Sequence, residues 1–122
     1  MGFDVMLRFA GRQVDLERKF TAAGYEIIVP RGGRETDQFQ IALVTPGDDD
    51  TFALLADRAC ERLRAIGPLL EAAASADESC RPVLDFGVNH DHSLFTQNVR
   101  FPQTLLRLLA EIGIDLNLSI YH

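Results

Sequence analysis

The sequence predicts a single α+β domain over residues 1–122: a two-layer sandwich with helices on one face of a mainly antiparallel sheet. Several segments alternate apolar and polar residues with a period of two, as half-buried strands do. Other segments repeat apolar residues at helical spacing. The predicted elements begin in the βαββαβ order of a ferredoxin-like fold, and a further β-α-β unit extends it.

The first half supplies one strand, one helix and a hairpin. Residues 3–9 alternate strictly and predict a strand with one apolar face. A short helix follows, which we expect Asp15 to cap and Gly24 to end. Residues 25–30 and the alternation over 39–43 predict two hairpin strands joined by a long polar connection.

A longer helix is predicted after three consecutive aspartates, residues 48–50. We interpret these acids as a helix cap rather than a metal site, because anions complement the helix dipole at this end. Apolar residues then keep helical register from Phe52 to Ile66. Pro68 removes a backbone donor, so we expect an interruption there and a kinked or separate helix to about Ala76.

The last third has the most regular pattern. It predicts strands over residues 82–89 and 94–101, a helix over 102–112 and a final strand over 115–121. Gly113 supplies the residue that turns left-handed just past a helix. In the final strand leucine and isoleucine alternate with Asn, Ser and Tyr, which predicts one face turned toward the core.

Composition excludes several classes of function. The formal charge of −6 and a pI near 4.9 make nucleic acid a poor partner, because phosphate binding requires clustered Lys and Arg. No apolar run approaches the ~20 residues of a membrane helix. We expect Cys60 and Cys80 to be free thiols in the cytoplasm, with a disulfide between them as the minor alternative.

Polar residues should share the sheet face that carries no helix. If a ligand or partner binds there, we predict that it does so through a set of six residues: Asp85, Asn89, Asn98, Arg100, Asn117 and Tyr121. Asp4 and Arg8 add to the same face from the first strand. The interpretation that the pattern favours is a solvated face with cross-strand pairs such as Asp85 with Arg100.

The segment containing His90 and His92 is the sharpest chemical candidate. Histidines two apart on an extended segment project the same way and can bind one metal, with His122, Asp85 or Glu111 as third ligand. The competing interpretation is an ordinary polar hairpin turn. No pattern of catalytic residues is present, and no cofactor is expected.

Two stretches resemble a known family. Leu84-Asp85-Phe86-Gly87 is similar to an LDIG-like strand, and residues 105–121 are similar to a helix and strand of the form LLALLAELGIDLDISIY. On these residues the C-terminal half resembles the bacterial domain-of-unknown-function family 4279. The resemblance implies an α+β bacterial cytoplasmic protein and assigns no activity or catalytic residue.

Three functions remain open. The first is a non-enzymatic binding module, including an immunity-type protein whose acidic surface steers onto a basic target. The second is a small metal-binding protein or hydrolase centred on His90 and His92. The third is a homo-oligomeric domain, such as a homodimer, that pairs through a strand edge or the sheet face. The pattern favours the first.

Overall fold

The computed structural model describes residues 3–11, 13–29, 38–47, 51–74, 82–89 and 99–121. These ranges contain four strands and three helices. The strands are β1 (Phe3–Phe9), β2 (Phe39–Val44), β3 (Val83–Asn89) and β4 (Asp115–Tyr121). The helices are α1 (Val14–Ala22), α2 (Phe52–Ala74) and α3 (Gln103–Ile112).

The four strands form one sheet in the order β2-β1-β3-β4. β1 lies antiparallel to both β2 and β3, while β4 adds in parallel beside β3. An isolated antiparallel bridge joins Ile28 to Gln40 beyond β2. The sheet is therefore mostly antiparallel, with the ferredoxin-like order at its start and a parallel strand added by the β3-α3-β4 unit.

The helices lie on one side of the sheet, so the predicted two-layer α+β sandwich is confirmed. Alternate residues of the central strands point into the core, including Leu7, Phe9, Leu84 and Phe86. α2 packs over β1 and β2, and α3 packs beside α2 and over β4. Phe9 and Phe39 stack with ring centroids 4.5 Å apart, which ties β1 to β2 inside the core.

The predicted strand over residues 25–30 is reduced to a single bridge among the described residues. Tyr25 N–H still donates to the Phe20 carbonyl at 2.9 Å, closing the end of α1. Only Ile28 then pairs, exchanging two hydrogen bonds of 2.8 Å with Gln40.

The predicted strand over residues 94–101 lies mainly outside the described residues. Val99, Arg100 and Phe101 are described, and none of them belongs to a strand. Phe101 instead packs its ring against Phe86 and Phe52, with centroid distances of 5.4 and 5.3 Å. The apolar residue that suggested a strand position therefore supports the core from a loop.

Two predicted features of the helix ends differ from the structure. Asp15 does not cap α1: the cap position is Gln13, whose N–H donates to the Glu17 carboxylate at 2.8 Å. The aspartates at 48–50 lie outside the described residues. The described cap of α2 is Thr51, whose Oγ1 accepts the Leu54 N–H at 3.2 Å.

The helix predicted before Pro68 continues through it to Ala74, so of the two predicted alternatives the separate helix is wrong and the extension forms. Pro68 is exposed, so its ring does not disturb the buried side of the helix. The buried residues keep their spacing on both sides of it, from Leu55 to Leu70. Core packing of this face maintains a helix that local propensity would break. The left-handed residue after α3 is confirmed, with φ of 82° at Gly113.

Cys60 is a buried free thiol on the inner face of α2. Burial raises its pKa, with Asp57 acting in the same direction and Arg64 opposing it. A thiol with a raised pKa is a poor nucleophile, so Cys60 is a packing residue. Cys80 lies outside the described residues.

Candidate functional site

Asp85 occupies the centre of the helix-free face, the sheet face that carries no helix. Its neighbours in β3, Leu84 and Phe86, point into the core, so the strand period places Asp85 on the opposite side. It lies on a central strand, directly between Met6 of β1 and Asn117 of β4. Asp85 is 0% exposed although it faces away from the helices.

Donors from both neighbouring strands meet the Asp85 carboxylate. Its Oδ1 accepts hydrogen bonds from Asn117 Nδ2 at 2.9 Å and from Ser119 Oγ at 2.8 Å. Its Oδ2 lies 2.7 Å from Arg8 Nη2. The N–H bonds of that nitrogen are not aligned with Oδ2, so this contact is an ion pair without hydrogen-bond geometry.

These contacts make Asp85 a structural anchor between the strands. A buried carboxylate is tolerated where a cation and hydrogen-bond donors compensate its charge, and Asp85 has both. Two of the three partners, Asn117 and Ser119, belong to β4. The contacts therefore fix the polar face of β4 against β3 and set its register.

Asp4 is a second carboxylate on this face, diagonal to Asp85 across the β1–β3 pair. Its Oδ1 is buried and accepts no hydrogen bond among the described residues. Burial raises the pKa of Asp4, and the negative charge of Asp85 raises it further. The nearby Gly87 backbone N–H and the charge of Arg8 oppose that rise. Asp4 therefore holds a proton more readily than a free aspartate does.

Gly87 allows Asp4 and Tyr121 to approach β3 from opposite sides. A Cβ at Gly87 would lie 2.2 Å from Asp4 Oδ1 and 2.7 Å from Tyr121 Cε2. Both distances are far below van der Waals contact, so any larger residue would displace one of these side chains. The absence of a side chain at Gly87 therefore leaves room over β3 for Asp4 of β1 and Tyr121 of β4.

The structure brings some of the predicted binding residues together and not others. Asp85 and Asn117 are in contact, and Tyr121 lies on the same face. Asn89 is exposed at the end of β3, opposite Tyr121 in the strand register. Arg100 is exposed and is not the ion-pair partner of Asp85, which is Arg8, so the predicted Asp85–Arg100 pair is wrong.

The remaining predicted residues, Asn98, His90, His92 and His122, lie outside the described residues. The described part of the chain contains no group of three or more His, Cys, Asp or Glu arranged to hold a metal ion. Metal binding at the histidines therefore stays a prediction.

The strand period predicts that Asp4, Arg8 and Ser119 lie on this face, but it does not identify what they contact. Arg8 pairs in the strand register with Val83, so Asp85 is its diagonal neighbour. Ser119 pairs with Gly87, and Asp85 is again the diagonal neighbour. The strand period gives the face, whereas these contacts require the register between strands distant in sequence.

An open groove of about 460 Å³ lies at the end of the sheet where β3 and β4 begin. Arg8, Asp115 and Asn117 line it. Ligands in sheets with parallel strands bind at the carboxyl ends, which is the other end of this parallel pair. Arg8 and Asn117 are also already engaged with Asp85. We therefore do not assign the groove as a ligand site.

The apolar face of β4 is incompletely covered. Leu118 is 40% exposed and Ile120 is 55% exposed, although their alternation predicted a core-facing row. β4 is an edge strand, and no described residue pairs with its outer side. The opposite edge differs, because Ile28 pairs with Gln40 there. Within the described ranges, the outer side of β4 therefore has no strand partner, and it lies beside exposed apolar side chains.

Leu106 of α3 extends this apolar surface and is 43% exposed. Thr104, Leu108 and Glu111 line a groove shared with Arg64 of α2, so they mark the flank of α3 that faces α2. Leu105 and Leu109 face the core. Since residues advance by about 100° each around a helix, Leu106 lies on the flank away from α2, toward β4.

No family model, curated protein or solved structure matches this chain. The resemblance to domain-of-unknown-function family 4279 therefore stays a prediction. None of the helices in the described part of the chain is long and apolar enough to cross a membrane.

Proposed function

We propose that this chain is a non-enzymatic protein-binding module that accepts an additional β-strand along β4. The binding surface, called here the β4 edge surface, consists of Leu106, Leu118, Ile120 and the outer backbone of β4. The observation that carries the proposal is the exposure of Leu118 and Ile120, at 40% and 55%, on a strand with an unpaired edge among the described residues.

Strand addition uses both features of this surface. The backbone groups of an incoming strand would pair with those of β4 and supply affinity, while the exposed side chains would select apolar residues at alternate positions. Burying such side chains contributes roughly 25 cal/mol per Å² of apolar area, before the cost of association. Exposed apolar residues beside a free strand edge otherwise favour aggregation, which a partner would prevent.

The polar contacts support this function by holding β4 in place. Asn117 and Ser119 bind Asp85, so the opposite face of the same strand is fixed on the sheet. A preorganised edge loses less conformational entropy when a partner binds than a mobile one does. Asp85, which we predicted as a ligand contact, would thus stabilise the strand that binds the partner.

A second candidate partner is a basic protein, as in an immunity-type role. The net charge of −6 favours this chemistry, because acidic surfaces accelerate encounters with basic targets. In that case binding would weaken steeply as salt rises. The β4 edge surface itself carries one charged residue in its strand, Asp115.

Selection from a displayed library of short random peptides tests the proposal. We expect the selected peptides to alternate apolar and polar residues and to lose binding when Leu118→Arg is introduced. Leu54→Arg is the matched control, because Leu54 is also 40% exposed but lies on α2. Selection of no peptide whose binding depends on Leu118 would overturn the proposed function.

A further inference from the structure

We infer that the strand bound at β4 is the β4 of a second copy of this chain, paired antiparallel with Leu118 opposite its own counterpart. This inference rests on the proposed function and names its partner. The described strands of the two copies would form one continuous sheet through the β4 edges. The result is a two-fold symmetric homodimer in which each copy supplies the same surface.

The β4 sequence is self-complementary in this register. With Leu118 at the two-fold axis, Leu116 faces Ile120 of the other copy, and Asn117 faces Ser119. Apolar residues thus meet apolar residues on one face, and polar residues meet polar residues on the other. Asp115 faces Tyr121, so the only charged residue of the strand is opposite a phenol rather than another carboxylate.

Symmetry also aligns the two layers. A two-fold axis perpendicular to the sheet keeps the helices of both copies on the same side. The flank of α3 that carries Leu106 would then face the other copy beside Leu118 and Ile120. The three exposed apolar residues of the β4 edge surface would therefore be covered together.

The size of the contact predicts a weak dimer. β4 contributes seven residues, fewer than the roughly 20–30 residues per partner in a standard stable interface. Each copy also carries a formal charge of −6, so like charges oppose association at low ionic strength. Salt screens this repulsion, and we expect dimerisation to strengthen as salt rises. A basic partner would show the opposite dependence.

Sedimentation of the full chain from about 1 μM to about 1 mM tests the pairing, a range that spans weak dissociation constants. We expect wild type to shift from monomer to dimer with concentration. Leu118→Arg and Leu118→Glu should each weaken self-association by at least ~10-fold, because like charges then face each other at the axis. An equimolar mixture of the two variants should recover dimerisation, since Arg and Glu would be opposite. Leu54→Arg should dimerise as wild type does.

Recovery of dimerisation in the mixture would show that the single variants lose self-association through charge repulsion at position 118. A folding defect is the other explanation, and it predicts no recovery because an unfolded variant could not form the mixed dimer. Wild type that stays monomeric at every concentration would overturn the inference. Dimerisation of Leu118→Arg at wild-type strength would also overturn it, as would failure of the mixture to recover. If wild type is monomeric but peptides bind in a Leu118-dependent manner, only the self-pairing fails and the proposed function stands.

Discussion

Arg8 Nη2 lies 2.7 Å from Asp85 Oδ2, which links the two central strands on the face of the sheet that has no helix. The two side chains are diagonal neighbours in the β1–β3 register. Asp85 is fully buried, whereas the side chain of Arg8 is 44% exposed. The ion pair therefore compensates a buried charge from the solvent side, and Asn117 and Ser119 complete the compensation from β4.

Replacement of Asp85 should destabilise the fold in proportion to the contacts removed. We expect Asp85→Ala to lower the free energy of unfolding by about 2–3 kcal/mol, since it removes two hydrogen bonds and a partly screened ion pair. Asp85→Asn keeps an acceptor oxygen and should cost about 1–2 kcal/mol. Urea denaturation measures both values, with the exposed Asp57→Asn as control, expected within about 0.5 kcal/mol of wild type. Equal effects of Asp85→Ala and Asp57→Asn would contradict the anchoring role.

Replacement of Asp4 should raise the free energy of unfolding at neutral pH, whereas replacement of Asp85 should lower it. The raised pKa of Asp4 means that the folded state binds its proton more tightly than the unfolded state does. The contribution of this proton to folding stability is fully present below the unfolded pKa of about 3.9, and it is lost as pH rises through the raised pKa of the folded state. Asp4→Asn should therefore stabilise the protein at pH 7, by less than about 1 kcal/mol at this half-exposed position.

The pH dependence separates this effect from a change in packing. The difference between Asp4→Asn and wild type should shrink as pH falls and vanish below the unfolded pKa. Thermal or urea unfolding across the acidic range measures it. The gain should also be smaller in an Asp85→Asn background, because Asp85 contributes to the raised pKa of Asp4. A gain that is independent of pH would contradict the assignment to charge.

Gly87→Ala should destabilise the protein by about 1–2 kcal/mol, because the new methyl group would overlap Asp4 and the Tyr121 ring. Asp4→Ala removes the closer obstacle. The cost of Gly87→Ala should therefore be lower when it is measured in an Asp4→Ala background. Unfolding free energies of the four proteins in this cycle provide the test. An unchanged cost in the double variant would show that Asp4 is not the group that excludes a side chain at Gly87.

The sequence predicted the layers of the fold well because periodicity reports which side of an element is buried. The apolar rows of β1 and β3, and the turn at Gly113, lie where the pattern indicated. The polar set on the opposite face followed from the same period. Leu118 and Ile120 were assigned to the core by the same argument, yet they are exposed, because burial at a sheet edge depends on what covers it.

The contacts of the candidate site could not be predicted, because they depend on register between segments far apart in sequence. Asp85 is 77 residues from Arg8 in numbering (85 minus 8), and its hydrogen-bond partner Ser119 lies 34 residues beyond it. Arg100 was an equally good candidate partner by charge alone. A shift of one residue in strand register would have moved Asp85 to the other face. Only the three-dimensional pairing of β1, β3 and β4 selects Arg8.

Pro68 provides a last test, since local chemistry and core packing disagree at this residue. Pro68 has no N–H to donate within α2, and proline is about 3 kcal/mol less favourable than alanine inside a helix. Pro68→Ala should therefore stabilise the protein by about 1–3 kcal/mol if core packing maintains the helix against the proline. Gly67→Ala, where an added Cβ meets no atom within 4 Å, is the control and should gain about 0.5–1 kcal/mol. Urea denaturation of the two variants gives the comparison. A loss of stability in Pro68→Ala would contradict this account of α2.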